Sequence, residues 1–88
     1  MTVLCLDAGN STIAAGCVEN GAVTALASFT TARRTADEYA VLFRDALAMR
    51  GVAPGGIGGA AIASVVPQLT GVLREAVRLL AGCDALVV

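Results

Sequence analysis

Thr2-Val3-Leu4-Cys5-Leu6-Asp7-Ala8-Gly9-Asn10-Ser11 is the stretch from which the rest of the chain is read. Thr2 to Leu6 is an apolar-rich run that stops at Asp7, as a buried strand does when it delivers one polar group to the edge of a sheet. Gly9-Asn10-Ser11 turns the chain, and Thr12 to Val18 reads as a second strand. A carboxylate followed by Gly-Asn-Ser-Thr sets an acid beside backbone amides and hydroxyls that can surround a nucleotide phosphate and its metal. The same residues suit any tight turn, so the pentapeptide alone leaves the phosphate loop and the ordinary turn both open.

Working outward, Asn20-Gly21 supplies the positive φ angles of a type I′ hairpin, and Ala22 to Thr30 returns as a third strand. Thr35-Ala36-Asp37-Glu38 is a capping box that starts a helix. Tyr39, Leu42, Phe43, Ala46 and Leu47 give that helix one apolar face for the sheet, with Arg44 and Arg50 off the stripe or at its end. Gly51 and Pro54 stop it. Ala60 to Val66 reads as a central strand, and Pro67 opens a second helix where its missing N–H costs nothing. Leu69, Val72, Leu73, Ala76, Val77 and Leu80 form that helix's stripe, Gly82 caps it, and Ala85 to Val88 begins a fifth strand. The order β-β-β-α-β-α-β predicts an α/β fold with a mixed sheet flanked by helices, its later strands parallel under right-handed crossovers.

Composition narrows the function classes. The chain has 88 residues, 57% of them hydrophobic, and a mean hydropathy of +0.79. No apolar run approaches the roughly 20 residues of a membrane span, so the surplus is assigned to core. No basic region precedes the first apolar run, which argues against a secretory signal and for a cytoplasmic protein. With a net charge of -1 and no basic cluster, little is available to neutralise a nucleic-acid backbone. There is no His and no Lys, which removes a Ser-His-Asp triad, a Walker-A lysine, a Schiff base and imidazole metal sites. Cys5, Cys17 and Cys83 lack Cys-x-x-Cys spacing and are read as buried free thiols.

Three further features have plain readings. Gly56-Ile57-Gly58-Gly59-Ala60-Ala61 matches a dinucleotide fingerprint on paper but precedes its strand instead of following one into a helix. Arg33 and Arg34 before a helix read as a solvated face, with phosphate or a partner subunit as the alternative. Ser64 reads as a helix cap more readily than as a ligand residue.

Four segments fall in register with one family. Asp7-Ala8-Gly9-Asn10-Ser11 resembles the D-x-G-N-[ST] signature of type III pantothenate kinases. Thr31-Ala32-Arg33-Arg34-Thr35-Ala36-Asp37-Glu38-Tyr39 resembles their T-x-R-x-T-x-D-E-Y stretch, Ala63-Ser64-Val65-Val66-Pro67 their S-S-V-V-P, and Leu86-Val87-Val88 the strand that follows. That resemblance implies the first ribonuclease-H-like half of a fold shared with acetate and sugar kinases, Hsp70 and actin. It implies residues 1–88 as an N-terminal nucleotide-binding domain, cut short at its C-terminus. The implied activity is ATP-dependent phosphorylation of pantothenate to 4′-phosphopantothenate, the first step of coenzyme A synthesis. The implied enzyme is a cytoplasmic homodimer using Mg²⁺ and a monovalent cation, K⁺ or NH₄⁺, with no role for nucleic acid or membrane. By position, the ATP-phosphate segment maps to Asp7, Ala8, Gly9, Asn10, Ser11, Thr12, Ile13 and Ala14, with Asp7 also the metal-side carboxylate. The family's G-x-D-R segment, whose Asp is the general base, is absent from these residues, so the chain alone is expected to be inactive. Two other roles compete: another kinase or assembly ATPase of the same superfamily, and a non-enzymatic factor accessory to transcription.

Overall fold

The computed structural model describes residues 1–88 as a five-stranded mixed sheet with two helices on one face. The strands are β1 (Thr2–Ala8), β2 (Thr12–Glu19), β3 (Ala22–Thr30), β4 (Ile57–Ser64) and β5 (Ala85–Val87). The helices are α1 (Ala36–Ala48) and α2 (Pro67–Ala81), and a 3₁₀ turn at Pro54–Gly56 leads into β4. The sheet order is β3-β2-β1-β4-β5. β1 pairs antiparallel with β2, β2 antiparallel with β3, and β4 parallel with both β1 and β5.

Side-chain alternation sorts the sheet into two faces. Leu4, Leu6 and Ala8 of β1, with Ile13, Ala15 and Cys17 of β2, point to the helix side and are buried. They join Ala60 and Ile62 of β4 and the stripes of α1 and α2 in one core cluster of 19 residues. Phe43 meets Phe29 edge-on at 5.1 Å and stacks on Tyr39 at 5.6 Å, which fixes α1 against the β3 edge. The opposite face carries no helix. Its middle row runs across all five strands as Leu26, Gly16, Cys5, Ala61 and Leu86.

Local chemistry explains the ends of the elements. Asn20 at φ 52° and Gly21 at φ 78° make the β2–β3 hairpin. Thr35 caps α1: the Glu38 N–H donates to Thr35 Oγ1 at 3.2 Å, and the Thr35 N–H donates to Glu38 Oε1 at 2.8 Å. Gly82, at φ 70°, closes α2. Arg50 closes α1 from its side chain, donating to Ala46 O and, across the gap, to Leu26 O of the β3 edge, both at 2.8 Å.

Several expectations shift. β1 runs past Leu6 to Ala8, because Asp7 and Ala8 pair with Ala14 and Ile13 on one side and with Ala63 and Ser64 on the other. β4 covers Ile57–Ser64, not Ala60–Val66, so the glycine-rich stretch forms the strand itself. Met1 Cγ lies 2.6 Å from where a Gly58 Cβ would be, and glycine there lets the N-terminus cover the strand. Val65 and Val66 leave the sheet because Ser64 turns the chain: its Oγ accepts from the Val66 N–H at 3.0 Å and donates to Val66 O at 2.9 Å. Ser64 is therefore not the cap of α2; Val66 holds that position without a side-chain bond, and Pro67 follows at N1. In α1 the buried positions are Tyr39, Ala40, Phe43 and Leu47, while Leu42 and Ala46 are half-buried. The three cysteines are free thiols, but only Cys17 is fully buried; Cys5 is exposed.

The surface area of 4760 Å² matches the roughly 4,770 Å² expected of a free-standing folded chain of 8.8 kDa. No helix is long and apolar enough to cross a membrane.

Candidate functional site

The carboxyl ends of β1 and β4 meet the β1–β2 turn at one edge of the sheet, where open α/β sheets gather their ligands. Asp7 stands there on the open face, exposed, with Ala14 and Ala63 as its cross-strand neighbours. Their methyl groups leave the carboxylate uncrowded, and it makes no ion pair or hydrogen bond within the chain. Ala8, one residue on, points the other way into the core.

The turn itself is Gly9-Asn10-Ser11. Gly9 N–H donates back to Thr12 O at 2.9 Å, closing the loop. A Cβ on Gly9 would sit 3.3 Å from that same oxygen, so the tight closure favours glycine. Two of the turn's carbonyls are occupied: Thr31 Oγ1 donates to Gly9 O at 2.8 Å, and the Thr31 N–H donates to Ser11 O at 2.9 Å. The N–H groups of Asn10 and Ser11 donate to no group in the protein. Exposed Asn10, Ser11 and Thr12 add an amide and two hydroxyls. The result is a short run rich in free donors next to one free carboxylate.

Of the eight residues mapped from the sequence, Asp7, Gly9, Asn10, Ser11 and Thr12 thus share one exposed patch, with half-buried Ala14 beside Asp7. Ala8 and Ile13 are fully buried, so any contribution from them to a ligand runs through the backbone alone. Ser64 lies level with Ala8, but its hydroxyl is spent on Val66. No three His, Cys, Asp or Glu residues cluster to hold a metal ion. A lone carboxylate does suit Mg²⁺, which commonly binds one or two carboxylates together with substrate phosphates.

The two arginines part company. Arg33 is exposed and unpaired. Arg34 is half-buried and tethered: it donates to Thr30 O at 2.9 Å and lies over the Tyr39 ring, 5.5 Å from its centre. The Tyr39 hydroxyl in turn donates to Ala32 O. Between this loop and the Val66, Gln68 and Leu69 start of α2 runs a groove of about 520 Å³. From the sequence, Thr31 and Tyr39 carry no site role; their signal is that they open and close the Thr31–Tyr39 stretch that resembles the family.

The family model described as type III pantothenate kinase matches residues 3–88. The chain belongs to that family. The type III pantothenate kinase of Roseiflexus sp. (strain RS-1) is 42% identical over 77 residues, covering 86% of this chain and 30% of that protein. That of Rhizorhabdus wittichii is 40% identical over 86 residues, covering 97% of this chain and 33% of the relative. The chain therefore spans about a third of the length of the curated relatives it matches, and corresponds to their N-terminal part. Among solved structures, a ROK hexokinase from Thermus thermophilus superposes with a TM-score of 0.71 at 19% identity, over 100% of this chain and 35% of that one. That likeness shows the fold: a ribonuclease-H-like half of the actin-like ATPase type. The family match places the chain within a family of kinases, and the structural likeness adds the fold alone.

Proposed function

We propose that these residues form the ATP-phosphate side of an enzyme that phosphorylates pantothenate to 4′-phosphopantothenate, the first step of coenzyme A synthesis. The observation that carries the reading is the Gly9–Thr12 turn: two unpaired backbone N–H groups and two hydroxyls face solvent beside the unpaired Asp7 carboxylate. Such donors suit the β- and γ-phosphate oxygens of ATP, and phosphoryl transfer rests on positioning and charge neutralisation. Asp7 would hold Mg²⁺, which when bound neutralises phosphate charge. Gly9, Asn10, Ser11 and Thr12 would hold the phosphates; Ala8, Ile13 and Ala14 keep the turn in register with the sheet.

The remainder of the proposal rests on family membership. A monovalent cation, K⁺ or NH₄⁺, a homodimer and a cytoplasmic setting belong to it, as does residues 1–88 being one N-terminal nucleotide-binding domain. The general base is not among these residues, since none of the four aspartates, Asp7, Asp37, Asp45 and Asp84, is followed by arginine as the family's G-x-D-R requires. The protein-level test is a coupled assay with ATP and pantothenate, run on the 88-residue chain and on the full product of its gene. Pantothenate-dependent ADP release is expected from the full product only. Turnover by the 88 residues would refute the division of labour, and a full product that phosphorylates a sugar or acetate instead would refute the substrate.

A further inference from the structure

We infer that Thr31 is a positioning residue for the phosphate turn: through its hydroxyl and its backbone N–H it holds Gly9 and Ser11, and thereby aims the Asn10 and Ser11 N–H groups outward. The inference rests on the phosphate-binding reading above. A turn carries carbonyls and amides in alternation, and a loop that binds an anion must turn its amides out and its carbonyls away. Here Gly9 O and Ser11 O are each held by Thr31, at 2.8 and 2.9 Å, and Thr12 O is held by the Gly9 N–H at 2.9 Å. Three of the segment's four carbonyls are therefore bound inward, while the amides of Asn10 and Ser11 stay free. One residue, 22 positions downstream of Gly9, accounts for two of those three bonds.

Thr31 can do this because its own segment is fixed from the other side. The Tyr39 hydroxyl donates to Ala32 O, and Arg34 spans Thr30 O and the Tyr39 ring. Tyr39 is fully buried in the core between the helices and the sheet. A continuous chain of contacts thus runs from the core, through Tyr39 and the 31–34 loop, to the turn. Without the threonine hydroxyl, Gly9 O would be free to rotate toward the face where a phosphate oxygen would lie, and carbonyl and phosphate repel.

The test uses the 88-residue chain, with the variants Thr31→Val, Thr31→Ser and Tyr39→Phe. Two quantities are read: MgATP affinity by titration calorimetry, and hydrogen exchange at the Gly9 and Thr31 amides, which are bonded to Thr12 O and Ser11 O, against exchange in β1 and α2. Thr31→Val keeps the shape and the backbone N–H but loses the hydroxyl. It is expected to weaken ATP binding roughly three- to tenfold and to speed exchange in the turn alone. Thr31→Ser restores both. Tyr39→Phe loosens the loop at a second point and is expected to act in the same direction even if Thr31→Val fails to fold. Unchanged exchange in the turn for the folded variants overturns the proposal, as does a uniform rise across the whole chain, which would mark a merely structural threonine. If wild type does not bind ATP, the phosphate reading fails, while the exchange data still decide whether Thr31 orders the turn.

Discussion

At the scale of single residues, Asp7 and Thr35 illustrate two kinds of polar group. Asp7 pairs with nothing, so its substitution removes no internal bond; Asp7→Asn is expected to leave the melting temperature within about a degree while lowering Mg²⁺-dependent ATP affinity at least about tenfold. Calorimetry on both proteins, with and without Mg²⁺, checks this. Thr35 does structural work: Thr35→Ala is expected to cost about 1 kcal/mol in urea unfolding. Its reciprocal partner carries a pH signature. The Thr35 backbone N–H, and secondly the Thr35 hydroxyl, hold the Glu38 carboxyl below its ordinary value of 4.5. A lowered folded pKa means stabilisation that is complete above 4.5 and lost as pH falls through the lower folded value. Stability measured from pH 6 down to roughly 3 is expected to drop less steeply in Glu38→Gln than in wild type. Sequence reading found the capping box and the Asn20-Gly21 turn because each is a local pattern with a local cause. It missed the role of Thr31, whose partners lie 20 and 22 positions away and are backbone carbonyls that no residue type announces.

At the scale of elements, the strands and helices were legible wherever hydrophobic period and punctuation agreed. β3 and the Pro67 start of α2 fall where expected. β4 was displaced toward the N-terminus for two reasons. Glycine-rich sequence reads as loop, yet Gly58 and Gly59 sit in the sheet beside Met1 and β1. Val65-Val66 reads as strand, yet the Ser64 hydroxyl bends the chain out of the ladder. The first cause is tertiary and the second a side-chain bond to the backbone two residues on, and each outweighs strand propensity. The helices are secured by packing more than by charge, since all three ion pairs are exposed and contribute little. Phe43 is fully buried between Phe29 and Tyr39, so Phe43→Ala is expected to cost roughly 3–5 kcal/mol. Against a small domain's total of about 5–15 kcal/mol, that variant should show a partly unfolded baseline in circular dichroism at 37 °C. A fully cooperative melt with an unchanged midpoint would show that α1 is not part of the core.

At the scale of the whole molecule, a chain that spans about a third of its relatives nonetheless has one core and the surface area of a free-standing domain of its mass. It is therefore expected to unfold in urea as one cooperative transition, with fluorescence of Tyr39 and far-ultraviolet circular dichroism giving the same midpoint. Non-coincident curves would contradict a single folding unit. The same architecture brings the turn, Asp7 and the Thr31 segment together at one end of the strands. The family and its fold were readable from four segments in register; the open sheet face was not, because β1 carries apolar Val3 and Cys5 on one side as well as Leu4 and Leu6 on the other, so alternation does not single out the face that packs. The most direct test of the account is an amide chemical-shift titration of the isotopically labelled 88-residue chain with MgATP. The account predicts saturable shifts concentrated at Gly9, Asn10, Ser11 and Thr12, lost in Asp7→Asn. Saturable shifts centred elsewhere, or none at millimolar MgATP, would contradict it.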